Sequence, residues 1–86
     1  MPNDKKLTDD SPDAQGLGLL FADDERSLQE LMKLEIPRMG HRVTVCPDGL
    51  TAVTALEEQS FDCILVDLDM PGLNGIQVIA RCKELA

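Results

Sequence analysis

Three short apolar runs, separated by segments of helical period, constrain this chain more than any other feature. The runs are Leu17-Gly-Leu-Leu-Phe21, Arg42-Val-Thr-Val-Cys46 and Cys63-Ile-Leu-Val66. The first and third are nearly continuous, the pattern of a strand covered on both faces. The second alternates and is rich in β-branched residues. After the first run, Leu28, Leu31, Met32, Leu34 and Met39 recur at helical spacing. Ser27 or Asp24 is the expected cap of that helix. Pro37 predicts an end or a kink near Glu35, because proline withholds a backbone donor. Gly40 closes the element. After the second run, Pro47-Asp48-Gly49 reads as a turn with Asp48 as the next cap. Leu50 to Gln59 then places Ala52, Val53 and Leu56 on one face. A turn-rich loop, Met70-Pro-Gly-Leu-Asn-Gly75, precedes a last amphipathic helix over Ile76 to Leu85. The order β-α-β-α-β-α predicts an α/β fold with a parallel sheet and right-handed crossovers.

Length and charge narrow the functions open to such a fold. The chain has 86 residues, which allows one domain. Its 16 acidic against 8 basic residues give a net charge of -8. So acidic a chain lacks the clustered cations that neutralise phosphates, which argues against direct nucleic-acid binding. It is also repelled by anionic membrane surfaces. Two phenylalanines, Phe21 and Phe61, are its only aromatic residues, so the core must be aliphatic. Residues 1–15 are polar and charged and read as a flexible N-terminal tail, leaving residues 16–86 as the domain. The run Leu17 to Ala22 is too short for a signal peptide, and no stretch approaches the ~20 apolar residues of a membrane span. A cytoplasmic location is expected. The three cysteines, Cys46, Cys63 and Cys82, form no C-x-x-C pair and suit a reduced interior. His41 stands alone in a turn and reads as a solvated loop residue.

In open parallel sheets, sites form beyond the carboxyl ends of strands where the strand order reverses. Asp23 and Asp24 follow the first run, and Asp67 follows the third. A 2-1-3 strand order makes those two strands neighbours and groups the three acids. A 3-2-1 order would separate them. Grouped carboxylates repel, and a hard cation such as Mg²⁺ relieves this through oxygen ligands. The all-oxygen donor set argues against zinc.

The stretches Leu19-Leu-Phe-Ala-Asp-Asp-Glu25, Gly40-His-Arg-Val43, Asp48-Gly49 and Phe61-Asp-Cys-Ile-Leu-Val-Asp-Leu-Asp-Met-Pro-Gly-Leu-Asn-Gly75 together resemble the receiver domain of two-component response regulators. The resemblance covers about residues 16–86. It implies a flavodoxin-like sheet with helices on both faces, and a phosphorelay module rather than an enzyme. It casts Asp67 as the phosphoacceptor, served by a sensor histidine kinase or phosphotransfer protein. It casts Asp23, Asp24 and Asp67 as Mg²⁺ ligands, with the backbone carbonyl of Asp69 as a further one. Pro71 and Gly75 would shape the following loop.

A full receiver has five βα units, and three are legible here, so the resemblance is to a partial, C-terminally truncated receiver. The family's Ser/Thr on strand 4, Lys on strand 5 and switch aromatic have no counterpart. Lys5 and Lys6 fall in the tail, and Lys83 falls on the third helix. Impaired phosphoryl transfer is therefore expected. An uncovered third strand would also leave an apolar edge, with marginal stability and self-association through that strand. Two rival readings remain at this point. One is a non-catalytic decoy receiver that pairs with a kinase or another receiver. The other is a haloacid-dehalogenase-type phosphatase fragment, whose D-x-D signature Asp67-Leu68-Asp69 is similar to. That family continues with Gly-Thr/Val, where Met70-Pro71 stands here, and leaves Asp23-Asp24 unexplained.

Overall fold

The computed structural model describes residues 16–85. The expected tail over 1–15 lies outside the described residues. Six elements follow in order: β1 (Gly18–Ala22), α1 (Arg26–Arg38), β2 (Arg42–Cys46), α2 (Gly49–Glu58), β3 (Cys63–Val66) and α3 (Gly75–Leu85). The three strands are parallel, in the order β2-β1-β3. The expected 2-1-3 order therefore holds. The first strand sits one residue later than its apolar run suggests, ending on Ala22 directly before the acids.

Strand alternation divides the core between two faces. Leu20 and Ala22 of β1 join Cys46, Ala52, Ala55, Met70 and Val78 in one buried cluster, with α2 and α3 above it. Leu19 has the opposite parity and is also buried, as is Ile36 of α1. Helices thus flank both faces. The core is aliphatic, and its side chains are small enough that Leu20, Val78 and Cys46 are its largest fully buried members. Burial pushes the Cys46 thiol up, so it stays neutral and inert, and Asp48 adds to the effect. All three cysteines are free.

The first helix departs from its expected ends. It runs through Pro37 to Arg38 instead of stopping near Glu35. Pro37 stands one residue from the end, so the missing donor costs only the bond to the exposed last turn. A Schellman closure then takes over the free carbonyls. The His41 N–H donates to the Ile36 carbonyl at 3.2 Å, and the Gly40 N–H to that of Pro37 at 3.0 Å. Gly40 has φ +89°, a conformation that glycine adopts without penalty. At the other end, neither Ser27 nor Asp24 is the cap. Glu25 holds that position, with no side-chain cap bond. His41 is also better ordered than its turn suggests: its Nδ1 accepts the Leu17 N–H at 2.9 Å.

The second helix follows its expected cap. Asp48 accepts the Thr51 N–H at 2.7 Å, which holds its carboxyl below the usual range. A lowered acid contributes stability above its unfolded pKa of about 4 and loses it as pH falls through the folded value. Asp48→Ala should cost about 1 kcal/mol in urea unfolding at pH 7. The gap from wild type should close on acidification below about pH 4. A gap that persists unchanged at low pH would show that the carboxylate is not its source.

Candidate functional site

The register of β3 against β1 builds the site. Ala22 pairs with Val66, the last residue of each strand. The Asp67 N–H donates to the Ala22 carbonyl at 2.9 Å, which carries the ladder one residue beyond β3. Asp23 and Asp67 therefore leave the sheet side by side. With Asp24 they form a triad in which one carboxylate oxygen from each residue lies within 4.8 Å of the other two. Asp24 is exposed, and Asp23 and Asp67 are half-buried.

Each acid is held differently. The Asp23 N–H donates to the Cys46 carbonyl at 3.1 Å, tying the β1 exit to the end of β2. Asp23 Oδ1 accepts the Glu25 N–H at 2.8 Å, and its carbonyl accepts Gln29 Nε2 at 2.7 Å. Asp67 Oδ1 accepts the Asp69 N–H at 3.3 Å. Asp69 itself is exposed in the β3–α3 loop, and its carboxylate is outside the triad.

That loop leads into a helix start with no slack. Asn74 Oδ1 accepts the Gln77 N–H at 3.0 Å, and Gln77 Oε1 accepts the Asn74 N–H at 2.8 Å. This is a reciprocal capping box in Asn-x-x-Gln form. Gly75 then packs against the phosphoacceptor candidate. A Cβ at Gly75 would lie 2.5 Å from the Asp67 carbonyl oxygen and 2.9 Å from Leu68 Cα. Only glycine permits that approach.

The donor set suits a hard divalent cation. Three carboxylates offer one oxygen each, the donor type that Mg²⁺ takes, with coordination positions left for water or phosphate oxygens. Like charges so close repel, and a cation between them reverses the sign of the interaction.

Comparison with known proteins identifies the family. The family model for the response regulator receiver domain matches residues 19–86. The chain belongs to that family. Receiver domains carry phosphorelay signals in two-component systems and interact with histidine kinases or phosphotransfer proteins. The transcriptional activator protein PfeR of Pseudomonas aeruginosa is 38 % identical over 66 residues, covering 77 % of this chain and 22 % of PfeR. Among solved structures, the receiver domain of the Francisella response regulator 1452 superposes with a TM-score of 0.73 at 29 % identity. That alignment covers 81 % of this chain and 60 % of the other. The receiver domain of sensor histidine kinase PA1611 from Pseudomonas aeruginosa gives a TM-score of 0.71 at 32 % identity, over 77 % of this chain and 54 % of that one. It was solved with a magnesium ion coordinated in its active-site cleft. The present chain thus spans about a fifth of PfeR and between half and two-thirds of these two receiver structures.

Sequence reasoning found the three acids and missed Gln29. Its signal is faint, an ordinary polar residue six positions after Asp23 on the first turn of α1. The Asn74–Gln77 box is an Asn-x-x-Gln spacing that the turn residues around it mask in the sequence. Gly75→Ala should displace the Asp67 peptide or the start of α3. Mg²⁺ affinity in calorimetric titration should fall by about 10-fold or more, as for other changes that misplace a metal ligand. Unchanged affinity would mean that the loop absorbs a methyl group without moving the acid.

Proposed function

We propose that Asp67 of this receiver accepts a phosphoryl group from a phosphohistidine on a sensor histidine kinase or phosphotransfer protein. Asp23, Asp24 and Asp67 would hold Mg²⁺, with the Asp69 backbone carbonyl as a further ligand. The convergence of three carboxylates at the carboxyl ends of β1 and β3 carries this reading. Bound there, Mg²⁺ supplies neutralisation of charge on the acids and on the phosphoryl oxygens. One Asp67 oxygen attacks phosphorus in line, the P–N bond to the imidazole breaks, and the imidazole nitrogen keeps the bonding pair. The product is an acyl phosphate on Asp67.

The family's Lys and Ser/Thr have no counterpart among residues 16–86, so the 86-residue polypeptide should take up phosphoryl groups slowly. Loss of one such electrostatic donor costs about 10²–10³ in rate elsewhere. Incubation with Mg²⁺ and a small acyl-phosphate donor, followed by intact-mass spectrometry, should show a slowly growing phosphoryl adduct. Asp67→Asn should abolish it. An adduct that survives that substitution would place the acceptor elsewhere and sink the proposal. A cytoplasmic location fits this reading; no helix among the described residues is long and apolar enough to cross a membrane. Direct nucleic-acid or membrane contact has no support in a net charge of -8.

A second reading concerns association. The outer edge of β3 has no strand partner among the described residues. Leu65 on β3 is 42 % exposed, and Ile79 on α3 is 43 % exposed. We propose that β3 pairs antiparallel with β3 of a second copy, an isologous contact that satisfies both edges. Centred on Cys63–Val66, that pairing sets Asp62 opposite Asp67 of the other copy, and like charges there oppose it. Association should therefore strengthen with added salt in sedimentation velocity. Leu65→Lys should return the chain to monomer. A monomer at all salt concentrations would exclude the contact.

A further inference from the structure

Asp23 and Asp24 are joined by one peptide unit in the β1–α1 loop, and the placement of that unit against α1 sets where both carboxylates start from. The unit is bounded by the Asp23 carbonyl on one side and the Asp24 N–H on the other. The neighbouring bonds on Asp23 act elsewhere. Its N–H bond to Cys46 fixes the preceding peptide, and its Oδ1 bond to Glu25 fixes its own side chain. The linking peptide is fixed by the Gln29 amide, which donates to the Asp23 carbonyl at 2.7 Å from a half-buried position on α1. The Gln29 backbone N–H is already engaged by the Glu25 carbonyl at 3.1 Å, so the side chain hangs from a fixed point of the helix.

We infer that Gln29 is a positioning residue for the divalent-cation site. Without that bond the β1–α1 loop that carries both Cα atoms is free to shift against α1, and a shift of either Cα moves its carboxylate out of the triad. Gln29 prevents it with a neutral donor. A Lys or Arg there would also reach the carbonyl, but would bring a positive charge towards an ion that the three acids must hold. An Asn would be one methylene short of the same bond. Metal-ligating carboxylates elsewhere depend on such outer hydrogen bonds, and losing one typically costs 10- to 100-fold in metal affinity.

This inference rests on the cation reading above, and one experiment tests the two separately. Mg²⁺ alone is titrated calorimetrically into the full 86-residue chain and into Gln29→Met, which keeps the length and loses the donor. Gln29→Asn is the second variant, should the first fail to fold. Each metal-free protein is also melted, and the ¹⁵N shift of the Asp24 amide is followed as a report on the hydrogen bond to the carbonyl before it. Wild type should bind Mg²⁺, and the variants should bind about 10-fold or more weakly. Their metal-free melting temperatures should stay close to wild type while the Asp24 shift moves. At saturating Mg²⁺, uptake of the phosphoryl group should return towards the wild-type rate. Binding by wild type with variants inside twofold of it overturns the role of Gln29 and leaves the cation site standing. A variant that melts early yet binds Mg²⁺ normally overturns it too, by showing a purely structural contact. No binding by wild type overturns both.

Discussion

Everything at the carboxyl end of this sheet depends on the register in which β3 lies against β1. Ala22 and Val66 are paired, and the ladder continues to the Asp67 N–H. A slip of one residue would turn Ile64 and Val66 away from the α2–α3 core and carry Asp67 away from Asp23 with them. The hydrophobic pattern and the site geometry are therefore one constraint. Ile64 and Val66 pack against the buried cluster, and their burial sets the position at which the chain runs out of strand and into Asp67. The apolar core is the ruler that measures the distance between the acids.

The layout of strands and helices was legible because it follows from period and burial. The limits of β2 and β3 were read to the residue, since Arg42 and Cys63 open runs that turn residues bound on both sides. The cap at Asp48 was legible too, because an Asp ahead of a helical pattern has one dominant use. Pro37 misled because local propensity carries no information on position within an element. Deep in a helix it would have broken α1, but beside a Schellman closure it is accommodated. Ser27 and Asp24 misled for a related reason. The cap position fell to Glu25, while the Asp23 side chain took the adjacent amide.

The candidate site was legible to the same depth. Asp23, Asp24 and Asp67 could be grouped from strand order alone, because the grouping follows from topology. Most of what supports them could not. Gln29 and the packing of Gly75 act through distances between groups that are close only after folding. His41 belongs with them. Its bond to Leu17 spans 24 residues, and nothing in a lone histidine between Gly and Arg announces it.

The contact at Gly75 has a mechanical consequence. With no clearance between the Asp67 carbonyl and the first residue of α3, and with the capping box locking that first turn, the two behave as a lever and its pivot. The arm is 11 residues, or about 16 Å of helix. Just past its midpoint Arg81 bonds Glu57 of α2 at 3.0 Å, so the arm is linked to a second helix. A rigid arm of that length would turn a small tilt at its pivot into a larger displacement at the distal end of α3, and the Arg81–Glu57 pair would pass part of it to α2.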